Sequence, residues 1–437
     1  MILVECLTKL SFMQSADYEN VIDLFHQPLR DALEHTRHVR RIAKLDDLQY
    51  LKCGVDRVLD ASLSGREWVQ KAAGVFNAPI TVSSYFFALN SPRRLELITD
   101  VDAWIRNRAD QRPGKADPLA EHNELKDYAV FATDGHEHAA SAHESPIQGV
   151  KRGRAHILSL NLRSHSLQRL GSCVPTAGKK KKHEITALGE LPGAAMRMGQ
   201  PKATKVIHVY DPAILCYDLW HRWKQGHGVY IITLEKTNSA LQLQGDLDFD
   251  CCDPRNAGVI SDQLVGSQIS ASMLRRICYQ DPASGLFYYF LTNERTLPPG
   301  LIAWLYRLRW DIEKVFDETK NKLGQKKAWG KSEFTKTQHL LFMCMCHNML
   351  LLFEQYLKNE HGIEDLKSLT KQIQQKKKEI LEARQNQRTP NPLYCQVLRC
   401  TQRSQQFLRW LRNEWYRPRP LRVAIATLKP LMIAYLT

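Results

Sequence analysis

Tyr306, Arg309, Glu313 and Lys320 are the residues whose types and spacing point most directly to chemistry. At roughly 100° per residue of helix they fall at about 0°, 300°, 340° and 320° around the axis, a strip about 60° wide. Leu305, Leu308, Ile312, Val315, Phe316 and Leu323 occupy an adjacent arc of about 180° to 280°, wide enough to pack on a sheet. The polar strip therefore borders a buried face. A carboxylate at that border is partly desolvated yet reachable, which suits a metal ligand. Arg309 and Lys320 supply fixed positive charge, Tyr306 a hydroxyl and a ring, and Trp310, about 40° away, a second ring. The same spacing also describes a solvated charged face with ordinary i,i+4 pairs.

The elements that must position this strip are well marked. Pro298, Pro299 and Gly300 break the chain before the helix, and Gly324 stands where a left-handed stop residue is expected. Two earlier apolar runs read as buried strands that hand over to aspartates: Tyr128–Thr133, ending in Asp134 and Gly135, and Val206–Tyr210, ending in Asp211 and Pro212. Taken singly, each aspartate is equally the start of a turn. Residues 154–162 read as a further strand, pairing with the first across a turn-rich stretch from Gly135 to Gly153. Ala213–Trp223 has helical spacing, stopped by Gly226 and Gly228, and Val229–Leu234 is another buried strand. Strands alternating with helices imply a mixed sheet with helices on its faces.

The string Tyr306-x2-Arg309-x3-Glu313-x6-Lys320 resembles the signature of the insertion-sequence-four group of bacterial cut-and-paste transposases. The resemblance covers roughly Asp127 to Phe353, and the N-terminal region loosely. It implies an α/β, ribonuclease H-like mixed sheet with flanking helices, a β-rich insertion before the last catalytic helix, and helical N- and C-terminal regions. It implies that Asp134, Asp211 and Glu313 form an Asp-Asp-Glu triad holding Mg²⁺ or Mn²⁺, and hard oxygen donors suit those ions better than zinc. It implies that Tyr306, Arg309 and Lys320 contact transposon-end DNA, and that Trp310 holds a flipped base. The expected substrates are double-stranded DNA with terminal inverted repeats and a target DNA, and the expected active form is a homodimer. The chain departs from the family pattern after both aspartates, with Gly-His-Glu following Asp134 and Pro following Asp211. Asp317 rivals Glu313 on the same strip, and Asp218 rivals Asp211.

Composition agrees with a nucleic-acid substrate. The 437-residue chain carries a formal net charge of +15 and a pI near 9.3, and a basic surface attracts phosphate through counterion release. Lys326 and Lys327, with Lys331, are candidate phosphate contacts, whereas Lys179–Lys182 reads as a solvated loop. The 43% hydrophobic content excludes a disordered basic tail. The division expected is residues 1–120 as a helical DNA-binding region, 121–353 as the catalytic domain with an insertion at about 236–292, and 354–437 as a helical C-terminal region, which the resemblance implies assists dimerisation. In the first, Ser64-x-x-Glu67 is a capping box. Two short helices there, over Ser64–Ala73 and Ser83–Leu89, separated by a turn at Gly74–Pro79 and flanked by Arg93 and Arg94, match a helix-turn-helix or a plain helical bundle.

The eleven cysteines lack metal or disulfide spacing and read as reduced, mostly buried thiols. His136, His138 and His143 read as a polar loop, with transition-metal binding as the alternative. Lys9 soon follows Met1–Cys6, so no secretory leader is expected. Leu340–Phe353 falls short of the roughly 20 residues that span a bilayer and reads as a core helix behind the signature helix. No membrane partner and a cytoplasmic, nucleoid-associated location are expected. Two other functions fit: a nuclease of this fold that cuts without joining, and a DNA-binding protein without catalysis, for which a lost carboxylate is expected.

Overall fold

The computed structural model describes residues 18–37, 45–60, 63–75, 80–112, 116–146, 149, 153–173, 184–267, 273–398 and 402–433. Lys179–Lys182, residues 76–79 of the expected turn, and Met1–Cys6 with Lys9 lie outside the described residues.

One mixed sheet organises the chain. Its strands are β1 (Tyr128–His138), β2 (Arg154–Asn161), β3 (Leu167–Cys173), β4 (Lys205–Val209), β5 (Val229–Leu234), β6 (Leu241–Asp246), β7 (Val259–Ser267), β8 (Met273–Gln280) and β9 (Phe287–Thr292). Their spatial order is β3-β2-β1-β4-β5-β9-β8-β7-β6. β1, β4 and β5 run parallel at the centre, and every other neighbouring pair is antiparallel. Both faces of the parallel strands are covered, which is why they read as unbroken apolar runs rather than alternating ones. This is the α/β, ribonuclease H-like arrangement with flanking helices. The inserted strands β6–β9 extend the same sheet, joined through the pairing of β9 with β5.

Several boundaries differ from the sequence reading. β1 does not stop at Asp134 but continues four residues to His138, because Gly135–His138 pair with Arg154–Ile157 of β2. The helix after Asp211 begins at Tyr217 and ends at His227, and Gly228, at φ 62°, is its left-handed cap. Gly226, lacking that conformation, is absorbed into the helix. β3 carries few apolar residues in sequence and was not expected.

The apolar helix runs Glu333–His361, well beyond Leu340–Phe353. Ser332 caps its start and Gly362, at φ 62°, its end. By length and composition it could cross a membrane, yet 94% of its most apolar window is buried within the protein. It packs mainly on the helices Pro92–Asp110 and Asp47–Leu59 and on β3, not behind the signature helix as expected. Gly54 permits the crossing with Asp47–Leu59, because a Cβ there would collide with the Phe342 ring. One buried cluster consequently runs without a break from Val21 to Met432, and a second fills the opposite face of the sheet around Trp220 and Trp223. The Ser64–Glu67 capping box forms, with Glu67 N donating to Ser64 Oγ (3.3 Å) and Ser64 N to Glu67 Oε2 (2.9 Å), starting the helix Gly65–Val75. A second short helix follows at Val82–Ala88.

His136 and His138 do not belong to a polar loop. The longer β1 buries them completely, and with His156 and His339 they form a cluster of fully buried imidazoles; His143 is exposed. Among the described residues, no group of three His, Cys, Asp or Glu side chains is gathered to hold a metal ion. Burial, reinforced by Lys320, lowers His138 to about 4. An imidazole depressed from its unfolded value near 6.5 is neutral when folded, so its contribution is complete at pH 7.5 and is lost as pH falls from 6.5 towards 4. The stability difference between pH 7.5 and 5.0, measured by urea unfolding, should therefore shrink by about 2 kcal/mol in His138→Phe relative to the unaltered protein. An unchanged difference would contradict this.

A buried ion pair ties the C-terminal region to the signature segment. Arg403 and Glu318, each 2% exposed, meet at 2.7 Å, and Arg403 also reaches Glu354 at 3.1 Å. Removing one partner strands the other charge, so Arg403→Ala should cost about 3–5 kcal/mol in urea unfolding. A loss below about 1 kcal/mol, the range of an exposed pair, would show that water reaches Glu318.

Candidate active site

Strand register places the two aspartates side by side. Ala132 of β1 pairs with Val209 of the parallel β4, and Asp134 and Asp211 each lie two residues further on. Neighbouring strands are about 4.8 Å apart, so the two carboxylates leave adjacent strands at one level. Each is oriented by its own backbone: Gly135 N donates to Asp134 Oδ1 (2.8 Å), and Ala213 N to Asp211 Oδ1 (2.8 Å). The second contact is an Asx turn, and Pro212 suits it because its fixed φ presets the bend and the N–H it lacks is not needed. Below them, Thr133 Oγ1 bonds Ser159 Oγ (2.7 Å) and His208 Nδ1 (2.9 Å), and His208 Nε2 bonds the Met196 carbonyl (2.7 Å). This brace joins β1, β2 and β4 beside Asp134, and no sequence motif announces it.

The signature segment is not one regular helix. It consists of Pro299–Leu308, a tight turn at Arg309, Trp310–Asp317 and a π-helical turn at Glu318–Lys322. At the break, Arg309 N bonds the Tyr306 carbonyl and Ile312 N the Arg309 carbonyl, both i→i+3. In the wide turn, Leu323 N bonds the Glu318 carbonyl, i→i+5, next to Thr319, whose hydroxyl bonds back to the Val315 carbonyl (2.8 Å). A tight turn over-rotates and a wide one under-rotates, so the deviations from a uniform wheel oppose each other. The Lys320 ammonium still lies near β1, where its charge acts on His136 and His138. Gly324, at φ 72°, ends the segment as expected.

The segment brings Arg309 and Glu313 against Asp134. Arg309 Nη2 bonds Glu313 Oε1 at 2.7 Å, and Nη1 lies 3.6 Å from Asp134 Oδ2. Its guanidinium also lies 5.6 Å from the Tyr306 ring centroid and 5.5 Å from that of Trp310. Burial raises the Asp134 carboxyl above its ordinary value, the negative charges of Asp211 and Glu313 add to the rise, and Gly135 N–H and Arg309 oppose it. Tyr306 is raised by burial, with Asp211 and Glu313 adding to it. The charges of Asp211 and Glu313 thus act on both Asp134 and Tyr306.

Trp310 is 55% exposed, so it does not serve as a packing residue. Lys326 and Lys327 are exposed on a loop docked to the end of β1: Ala139 N bonds the Lys326 carbonyl and Ala328 N the Ala139 carbonyl, both 3.0 Å. Gln325 anchors that loop from beneath, its amide reaching the carbonyls of Arg57 and Val58 (3.1 Å each); sequence reasoning did not single it out. The rivals stand apart. Asp317 is held by Asn321 (2.5 Å) and Gln402, and Asp218 is exposed in the first turn of Tyr217–His227.

The donor set suits a hard divalent ion. Three carboxylates facing one guanidinium leave an excess of negative charge, which an oxygen-seeking cation stabilises. The carboxylates are not drawn together as ligands, and the Arg309 guanidinium lies between Asp134 and Glu313.

Residues 179–349 match the family model for the transposase DDE domain. None of the curated proteins compared matches the chain. The matched span contains Asp211, Glu313 and the whole signature segment, while Asp134 precedes it on the neighbouring strand. That span, under half of the chain, is similar to a transposase DDE domain and supports a DDE transposase family.

Proposed function

We propose that this protein cuts DNA at the ends of an insertion sequence and joins the freed 3′-hydroxyl to a target, with Asp134, Asp211 and Glu313 as its catalytic carboxylates. The observation that carries this reading is the meeting of Glu313 and Asp134 across Arg309, with Asp211 in register on the next strand. These three would hold Mg²⁺ or Mn²⁺, which supplies Lewis acidity at the scissile phosphate and lowers the pKa of a bound water or hydroxyl.

The steps are in-line displacements at phosphorus. A water oxygen attacks first, its proton leaves to solvent, and the 3′-oxygen departs as the nick forms. That 3′-hydroxyl then attacks the opposite strand's phosphate and displaces the 3′-oxygen of the flanking DNA to give a hairpin; water attacks the hairpin phosphate and frees the 3′-hydroxyl, which attacks a target phosphate and displaces the target strand's 3′-oxygen. Tyr306, Arg309 and Lys320 hold end phosphates along the segment, and Lys326 and Lys327 extend that contact from the docked loop. Trp310, bare to solvent, stacks on the base turned out during hairpin formation. Residues 1–120 supply end recognition and 354–437 assist a homodimer, acting on bacterial nucleoid DNA in the cytoplasm.

With DNA carrying the element's flanking repeats and Mg²⁺, the protein should give nicked, hairpin and strand-transfer products. Asp134→Ala, Asp211→Ala and Glu313→Ala should each reduce them by about 10³-fold or more. Wild-type product levels from any of the three would overturn the assignment, and cleavage without joining would mark a nuclease instead.

Trp310→Ala should leave nicking near normal and slow hairpin formation by roughly 5- to 100-fold, the worth of one stacked base, with Trp310→Phe recovering part of the loss. An unchanged ratio of hairpin to nick would remove Trp310 from this role.

A further inference from the structure

Arg309 occupies a place in which a permanent cation would obstruct the proposed chemistry. Its side chain is 5% exposed and bonded to Glu313, and its charge faces Asp134. In the same guanidinium, Nε and Nη1 are buried and find no hydrogen-bond partner among the described residues. An arginine with five donors in a rigid fork is suited to hold a carboxylate on one side and a phosphate on another. Here only the carboxylate side is used. The residue also stands at the break between Pro299–Leu308 and Trp310–Asp317, with its guanidinium in cation–π range of the Tyr306 and Trp310 rings.

Two demands conflict at this position. Without a divalent ion, Asp134, Asp211 and Glu313 repel one another, and a positive group between them lowers that cost. With a divalent ion bound to the same carboxylates, the guanidinium is a like charge a few ångströms away and is repelled. DNA phosphate offers it another partner, matched to the idle Nε and Nη1.

We propose that Arg309 is an exchangeable counter-charge: it holds Glu313 and faces Asp134 in the metal-free protein and transfers to an end phosphate as divalent ions bind, coupling metal binding to DNA-end binding. The inference rests on the carboxylate assignment above. It makes Arg309 a positioning residue that keeps the carboxylates assembled before metal arrives and keeps metal weakly bound until DNA is present. Linkage makes the effect reciprocal, since end DNA must tighten metal binding by the factor by which metal tightens DNA binding.

The test uses the full chain and reads binding rather than turnover. Mn²⁺ is titrated calorimetrically into protein alone, for the unaltered chain, Arg309→Gln and Arg309→Lys. Affinity for a pre-cleaved end duplex is then measured by fluorescence anisotropy with and without Mn²⁺. Arg309→Gln should bind Mn²⁺ about 5- to 10-fold more tightly than the unaltered protein, and Arg309→Lys, which keeps the charge, should not. Mn²⁺ should tighten DNA binding by about 10-fold or more in the unaltered protein, and by a clearly smaller factor in Arg309→Gln. Equal or weaker Mn²⁺ binding by Arg309→Gln, or equal enhancement of DNA binding in both proteins, would overturn the exchange and leave the carboxylate assignment standing. Mn²⁺ binding insensitive to Asp134→Asn, Asp211→Asn and Glu313→Gln would overturn both.

Discussion

Repulsion among three acidic side chains is the constraint around which this structure is arranged. Asp134 and Asp211 are forced to one level by the parallel register of β1 and β4, and Glu313 is brought to them by a helix packed over the sheet. Burial itself is the main reason the Asp134 carboxyl is raised despite a backbone donor and a neighbouring arginine, and the charges of Asp211 and Glu313 add to it. Such a group is unfavourable unless cationic charge is supplied. Arg309 supplies it within the protein, and the proposed divalent ions supply it during reaction.

Holding that arrangement requires rigid support from distant parts of the chain. The brace of Thr133, Ser159 and His208 fixes three strands beside Asp134. The buried pair of Glu318 and Arg403 fixes the far end of the signature segment. At its near end, Gly300 N is bonded to Asn256 Oδ1 at 2.9 Å, and Gly300 packs so closely on the Arg255 carbonyl that a Cβ would collide. The insertion thereby sets where the helix begins. Gln325, reaching back to Arg57 and Val58, links the loop of Lys326 and Lys327 to the N-terminal helices. Separate regions thus support the stretch from Gly300 to Lys327 and the strands beside it.

Much of this was legible in the sequence because it follows from local periodicity. Continuous apolar runs gave the three parallel strands, and a strip of polar residues beside an apolar arc gave the signature segment. Its irregularities were not legible. The i→i+3 turn at Arg309 and the π turn at Glu318–Lys322 carry no proline or glycine, and the second begins at the buried pair of Glu318 with Arg403. The length of β1 was hidden for a related reason: Asp134-Gly135 reads as a turn, and only pairing with β2 keeps it extended. That one misreading made buried histidines into a polar loop. The resemblance brought Asp134 into the site by its order in the chain, and the strand register gives the physical reason for its position.

The most direct measurement is an anomalous difference map, recorded at the manganese edge, from crystals of the protein bound to pre-cleaved end DNA with Mn²⁺. The account predicts manganese density bounded by the carboxylates of Asp134, Asp211 and Glu313 beside the terminal 3′-oxygen, with the Arg309 guanidinium withdrawn from Glu313 onto a phosphate. Manganese elsewhere, with Arg309 still seated on Glu313 and DNA in place, would contradict it.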